Sequence, residues 1–396
     1  MSMKIIHKSY KFRIYPTKEQ EVILAKHFGC VRFVFNRFLN ERQEEYLNNG
    51  NSLSYYVNAK SLTELKNEFL WLKEVNSQSM QSALKHLDVA YNRFFRKLAK
   101  FPRFKKKFDK QSFHIPQFLT IKDDKLFIPK FKNGIDIIIH RKMEGKILNG
   151  TITKSATGKY YVSITCEVEH NELSHTNSSV GIDTGIKDLA ILSDGTKYEN
   201  IKCLKKSLKK LKYEQRQLSK KVKGSGQRNK QRIKLALIHE KVANQRKDHL
   251  HKISTDIIKN HDVVCVEDLN VKGMIKNHKL AQSLSDVGLG MFYDMLSYKA
   301  SWNDKTIVKI NRFFPSSKMC CECHWIKEDL TLKDREWTCE SCHVTHDRDI
   351  NASKNILLQG LNNLSGLGTN SDIKQKQVDS FSIEKGMKLE ASTPCG

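Results

Sequence analysis

Three acidic residues stand about equally far apart in the chain: Asp183 in Val180-Gly-Ile-Asp-Thr-Gly185, Glu267 in Val263-Val-Cys-Val-Glu-Asp-Leu269, and Asp349 in His346-Asp-Arg-Asp-Ile-Asn-Ala352. Each falls where the local pattern reads as a strand end or a helix start. Carboxylates remote in sequence that a fold can converge are what hard divalent cations need, and such cations serve phosphodiester hydrolysis. Just before the third acid, Cys320-x2-Cys323 is followed after fifteen residues by Cys339-x2-Cys342. Paired thiols at that spacing suit one tetrahedral zinc ion in a four-cysteine ribbon. The expected chemistry is that of a metal-dependent nuclease beside a structural zinc module.

Two of the acids have rivals next to them. Glu267 ends the apolar run 263–266, and alternation along a strand turns its neighbour Asp268 to the opposite side, so Glu267 is the expected ligand. Asp349 opens a helix whose Asn351, Ala352 and Asn355 are small enough to pack closely on a sheet. It is therefore assigned to metal, and Asp347 to capping or supporting it. Gly181 and Gly185 are expected to let phosphate and metal approach the backbone near Asp183. In the ribbon, His324 and His343 replace the glycine usual after each knuckle, and either is open as a competing ligand. Trp337 reads as ribbon core or stacking ring, and Arg335 as a grip on phosphate.

The chain of 396 residues carries 69 Lys and Arg against 43 Asp and Glu, a net charge of +26. That surplus repels itself in a compact fold unless a polyanion screens it, so nucleic acid is the expected partner. No apolar run approaches the ~18 residues of a spanning helix, and the start lacks the apolar core of a secretory signal. A cytoplasmic, nucleoid-associated protein without membrane contact is expected. Cys30, Cys166, Cys203, Cys265 and Cys395 are scattered and Cys321 is left over, a usage that favours metal over disulfides in a reducing compartment.

The elements that must position these residues follow from periodicity. A first strand, Lys4 to Tyr15, stops at Pro16. Thr17-x-x-Gln20 is a capping box for a long helix reaching toward Asn48, Ser61-x-x-Glu64 opens a second, and Ser77 begins a third ending near Lys100. In the third, Met80, Leu84, Leu87, Tyr91 and Phe94 make the core stripe, which leaves Ser77, Gln81 and Lys85 on a face free to touch a partner. From Arg93 to Lys110 nine Lys and Arg, including Arg103, Lys105, Lys106 and Lys107, are interleaved with aromatics against the single acid Asp109. Such a mixture suits phosphate pairing with base or sugar stacking. Short strands then run to Glu169, separated by turn signals, as in a small antiparallel barrel that the first strand joins across a helical insertion at roughly 17–105.

From Ser178 the order changes to strand, hairpin, long helical region, strand, helix Ser285–Trp302, strand, ribbon and a last helix from Asp349 to Leu358. This is the order of an RNase H-like fold. Residues 202–234 hold fourteen Lys and Arg with Glu214 the only acid, and Gly224-Ser225-Gly226 should break the region into two antiparallel helices. Beyond Gly360 a mobile tail is expected, from 361 to 396.

With these residues in view, the chain resembles the TnpB (OrfB) family carried by insertion sequences, compact relatives of type V CRISPR nucleases. The resemblance spans most of 8–360 and rests on Tyr10-Lys-Phe-Arg-Ile-Tyr-Pro-Thr17, Pro102-Arg-Phe-Lys105, Gly181-Ile-Asp-Thr-Gly-Ile-Lys187, Val266-Glu-Asp-Leu269, Arg335-Glu-Trp-Thr-Cys339 and His346-Asp-Arg-Asp-Ile-Asn-Ala352. It implies an α+β multidomain protein. A wedge barrel (1–16 and 106–177) would hold a helical recognition insertion (17–105), and a RuvC-like nuclease domain (178–313 and 347–360) would carry a zinc ribbon (314–346). It also implies a catalytic triad of Asp183, Glu267 and Asp349 on two magnesium ions, one zinc on Cys320, Cys323, Cys339 and Cys342, a guide RNA, and double-stranded target DNA cut next to a short adjacent motif by a monomer bound to its RNA. A guided DNA-binding regulator that does not cut, a transposase acting directly, and a basic RNA-binding protein are the competing readings.

Overall fold

In a computed structural model the described residues are 3–366 apart from Glu172 and Leu332, and they divide into two compact units, Ile5–Glu169 and His170 onward, the latter also taking in the start of the chain up to Lys4. Cys395 and the tail from 367 lie outside the described residues. Among those described, no helix is long and apolar enough to cross a membrane.

In the first unit, β1 (Met3–Tyr15) ends at Pro16 and α1 (Lys18–Asn49) follows. Its capping box is formed as expected: the Thr17 hydroxyl accepts from Gln20 N–H at 3.3 Å while the Gln20 side chain accepts from Thr17 N–H at 3.0 Å. α2 (Tyr55–Glu68) starts earlier than Ser61, because Ser54 caps it through Val57 N–H. Ser61 lies inside the helix, its hydroxyl donating to the Val57 carbonyl four residues back. A 3-10 turn (Leu70–Glu74) leads to α3 (Ser77–Phe95), capped by Asn76 and shorter than expected. The remaining strands are β2 (Gln111–Ile115), β3 (Thr120–Lys122), β4 (Lys125–Phe127), β5 (Ile135–Ile138), β6 (Lys146–Lys154) and β7 (Tyr160–Asn171). They form one seven-stranded sheet in the order β2-β6-β7-β1-β5-β4-β3, with β1 in its interior beside β5 in antiparallel register. The first strand thus joins strands more than a hundred residues away, across the helical insertion.

In the second unit, β8 (Ser179–Asp183), β9 (Asp188–Leu192) and β10 (Lys197–Glu199) form an antiparallel meander. The basic helices α4 (Cys203–Ser219) and α5 (Gly226–Asn260) break at the expected glycine-serine-glycine turn, where Ser225 caps α5. The start of α4 lacks a local side-chain cap and is served from a distance, with Leu204 and Lys205 N–H donating to the buried Asp286 carboxylate at 2.8 and 2.9 Å. After β11 (Val263–Glu267) come α6 (Val271–Met274), α7 (His278–Val287) and α8 (Leu289–Trp302). The single helix expected from Ser285 to Trp302 is therefore two, because Gly288 takes a left-handed φ of 75° and ends α7 on the Leu284 carbonyl. β12 (Thr306–Ile310) completes a sheet in the order β10-β9-β8-β11-β12, with β8, β11 and β12 parallel. The ribbon follows with its hairpin β13 (Glu336–Thr338) and β14 (Thr345–Asp347). Last comes α9 (Arg348–Gly366), which continues past Leu358 and Gly360.

This sheet has a different partner on each side. Val180 and Ile182 of β8 and Val264 and Val266 of β11 enter a core with Leu250, Ile253 and Ile257 of α5 and Phe292, Met295 and Leu296 of α8. The alternate residues face α9: Cys265 packs with Ile356 and Leu357, and a Cβ on Gly181 would come within 2.0 Å of the Ser353 carbonyl oxygen. Gly181 is thus required by the close approach of a helix, where the sequence reading had it admit phosphate and metal. At Gly185 a Cβ would meet the Asp188 carbonyl oxygen at 3.1 Å. Ser353 is fully buried beneath this contact, its hydroxyl donating to the Ile350 carbonyl.

Candidate functional site

The parallel register pairs Val266 with Ile182, so the next residue on each strand, Glu267 and Asp183, emerges at the same carboxyl edge of the sheet and on the α9 side. Asp349 opens α9 against that face. Burial first, and then the charges of Glu267 and Asp349, raise the Asp183 pKa to about 7, against Arg348 and the Thr184 N–H, which lower it. Three carboxyls from distant parts of the chain thus share one field. Glu267 is also pushed up by burial, in part offset by the Ser316 hydroxyl that donates to it at 2.6 Å. Arg335 and Arg348 each reach Asp349 at 3.3 Å, which brings Arg335 to the carboxylate edge.

The rival acids are occupied elsewhere. Asp268 forms ion pairs with Arg312 at 2.8 Å and Lys309 at 3.8 Å. Asp347 accepts from the N–H groups of Asp349 and Ile350 at 3.0 and 3.1 Å and pairs with Lys197 at 2.8 Å, so it is the cap of α9. Despite burial, these partners hold its carboxyl below the ordinary range.

Two supporting groups at this edge, Tyr293 and Ser316, carried no sequence signal. Tyr293 of α8 shares a 2.8 Å hydrogen bond with the Thr184 hydroxyl, directly after Asp183. Ser316 is itself fixed by Asn355 of α9, whose side-chain amide donates to its carbonyl at 2.8 Å. Asn351 donates to the Met319 carbonyl at 2.7 Å and accepts from Cys321 N–H at 2.9 Å. The two asparagines therefore clamp the entry to the ribbon onto α9, a role beyond the close packing expected of them.

The four Sγ atoms of Cys320, Cys323, Cys339 and Cys342 lie within 4.8 Å of one another, with 3.6 Å between Cys320 and Cys342 and 3.5 Å between Cys323 and Cys339. A tetrahedral zinc with Zn–S near ~2.3 Å sets sulfurs about 3.8 Å apart, so the donor set fits that ion. Among the described residues this is the group of three or more such donors placed to hold a metal ion. His324 and His343 stand outside the thiol cluster. Both adopt left-handed φ, 63° and 59°, and their N–H groups close the knuckles on the Cys320 and Cys339 carbonyls. They fill a backbone position that glycine fills most easily. Trp337 is buried against Cys320 and Cys339 as ribbon core.

In the first unit, Gln81 and Lys85 are exposed on α3, the Lys85 ammonium 5.8 Å from the Tyr55 ring centre, while Ser77 is partly buried and accepts from Lys66 at 2.8 Å. Arg103, Lys106 and Lys107 are exposed. Lys105 differs from its neighbours: although part of the residue reaches solvent, its ammonium lies 3.9 Å from the Phe35 ring centre and desolvation lowers its pKa to about 8.

Against known families, a model described as a probable transposase matches residues 163–278, and one described as Cas12f1-like, TNB domain matches residues 290–356. A putative RNA-guided DNA endonuclease of Streptomyces pristinaespiralis is 38% identical over 365 residues, covering 91% of this chain and 90% of that protein. The chain belongs to the TnpB (OrfB) family. Another relative, the putative RNA-guided DNA endonuclease InsQ of Escherichia coli K12, is 35% identical over 377 residues, covering 89% of this chain and 92% of its own. The TnpB-like protein L79 of Acanthamoeba polyphaga mimivirus is 26% identical over 393 residues, covering 89% and 73%. A third family model, described as a helix-turn-helix domain, matches residues 1–51. In this member of the family that segment is the strand β1 followed by the single helix α1.

Proposed function

We propose that this protein is an RNA-guided, magnesium-dependent DNA endonuclease that cuts target DNA next to a short adjacent motif. The observation that carries the reading is the shared field at Asp183, where burial and two further carboxylates oppose ionisation, a state that bound cations relieve. Hard oxygen donors suit magnesium, and three converging carboxylates suit a pair of such ions. Bound there, such ions supply an activated water and charge neutralisation at the phosphate. The chain's own groups hold the donors in place: Ser316 holds Glu267, Tyr293 holds Thr184, and Asp347 caps the helix that presents Asp349. Arg335, beside Asp349, is suited to grip a phosphate oxygen. The second unit is read as RuvC-like with a zinc ribbon, and the first as wedge and recognition insertion.

The relatives named as RNA-guided support guidance by an RNA whose base pairing reads the sequence. On α3, Ser77, Gln81 and Lys85 are the proposed readers of the adjacent motif. Arg103, Lys106 and Lys107 are proposed to grip phosphates, with Lys105 contributing through packing on Phe35. The protein is proposed to act as a monomer with its RNA on double-stranded DNA at the nucleoid.

The test begins by sequencing the RNA that copurifies with the full chain, for which one discrete species is expected. DNA complementary to it should then be cut by the wild type and by Asp268→Ala, but not by Asp183→Ala, Glu267→Ala or Asp349→Ala, all of which should still bind the target. Heterogeneous RNA fragments, or equal loss of cleavage in Asp268→Ala and Glu267→Ala, would sink the reading.

A further inference from the structure

The turn that joins β12 to the ribbon carries two consecutive phenylalanines with opposite fates. Phe314 packs against the small core of Val308, Ile310 and Ile356, whereas Phe313 is 86% exposed. A single exposed apolar side chain is ordinary, so exposure alone assigns nothing. Position does. Arg312, on one side of Phe313, is tied to Asp268 at 2.8 Å, and Ser316, three residues beyond, donates to Glu267 at 2.6 Å. Phe313 is therefore bracketed by contacts to Glu267, the last residue of β11, and to Asp268 directly after it, the first a carboxylate of the proposed catalytic set. Three residues span at most about 11 Å, so the Phe313 backbone lies within that reach of Ser316.

The turn is also built to hold still. Phe313 N–H donates to the Asn311 side chain at 2.9 Å, Phe314 N–H to the Asn311 carbonyl at 3.1 Å, and Asn355 of α9 fixes Ser316. The ring that faces solvent thus stands on a fixed backbone, next in the chain to Arg312, which with Lys309 pairs with Asp268. An open aromatic face beside cations is what an unpaired nucleobase needs: the ring takes the base while the cations attract the backbone.

We propose that Phe313 is the stacking platform for an unpaired base of the DNA strand being cut, holding that strand in register with the carboxylate edge. The proposal rests on the reading of Asp183, Glu267 and Asp349 as a DNA-cutting site. A stacked strand advances about 3.4 Å per nucleotide, which puts the stacked base within a few nucleotides of the scissile phosphate.

The experiment uses the full chain with its copurified RNA and a matched target. Phe313→Ala should bind that target as tightly as wild type yet cut it roughly tenfold more slowly, the loss of one base–aromatic stack, with incisions spread over neighbouring positions. Phe313→Trp should restore rate and register. Phe313→Leu, apolar but without a π face, should behave like alanine. An abasic nucleotide within three positions of the cut should slow the wild type equally and add nothing to Phe313→Ala. Leucine performing as well as phenylalanine, or abasic and alanine effects that multiply, overturns the proposal and leaves Phe313 an apolar contact. Photocrosslinking of a 5-iododeoxyuridine oligonucleotide separates the two readings. A crosslink mapped to Phe313 in a chain that shows no guided cleavage keeps the platform and refutes the endonuclease. Guided cleavage without any crosslink at Phe313 does the reverse.

Discussion

Replacing Asp183 with asparagine should stabilise the metal-free protein, and by an amount that depends on pH. Asparagine keeps the shape of the side chain and an accepting oxygen but carries no charge. In the folded chain the Asp183 pKa is about 7, against an ordinary 3.8. An acid whose folded pKa is raised binds its proton more tightly folded than unfolded. Folding is therefore penalised increasingly as pH climbs from about 4 to about 7, and by a constant amount above that. At 1.36 kcal/mol per pH unit the upper limit is about 4 kcal/mol, with roughly half of it present at pH 5.5. For a unit of this size each kcal/mol moves the melting midpoint by about 2–4 °C, so Asp183→Asn should melt on the order of 10 °C above wild type at pH 8 in chelator. The gap should close toward pH 4. Millimolar magnesium should narrow it at pH 8 by raising the wild type and leaving the variant nearly unmoved, since only the ionised site binds the cation well. Differential scanning of both proteins, with and without magnesium, reads all of this directly. Equal melting of the two at pH 8 in chelator would falsify the electrostatic account of the site.

Cys339→Ser should lose the single zinc expected per wild-type chain. Because structural zinc carries much of the folding energy of so small a module, amide exchange should accelerate across 314–347. Elemental analysis finding no zinc in wild type, or full zinc in the variant, contradicts the ribbon assignment. Tyr293→Phe keeps the ring and its packing but removes the bond to Thr184, an interaction worth about 1 kcal/mol. The magnesium concentration for half-maximal cleavage should then rise about fivefold, with a matching loss in manganese affinity followed by paramagnetic resonance. An unchanged metal requirement means that the pair does not position Asp183.

What could be foreseen in this chain follows from which interactions leave a local trace. Asp183 and Glu267 were legible because each ends an apolar strand, where period-two alternation fixes the direction of the last side chain. That the strands are neighbours in parallel register was not, since β8 and β11 are separated by α4 and α5 and no local pattern records such a pairing. Gly181 shows the limit most clearly. A glycine beside a candidate site acid states that something approaches the backbone too closely for a Cβ, but not what approaches. Ligand and helix make the same demand, and here the helix is α9. The knuckle histidines carry the converse lesson, for a residue type known as a ligand stands in a position selected by φ. Ser316 and Tyr293 could not be read at all. A hydroxyl in a loop and a tyrosine on an apolar helix face look alike whether they point at solvent, core or a carboxylate, and only the fold brings them to Glu267 and Thr184. The chemistry-bearing groups are thus written in short motifs, while the groups that tune them are written in long-range packing. Variants of the second kind, Tyr293→Phe first among them, are therefore the ones that test the structure beyond what the motifs already say.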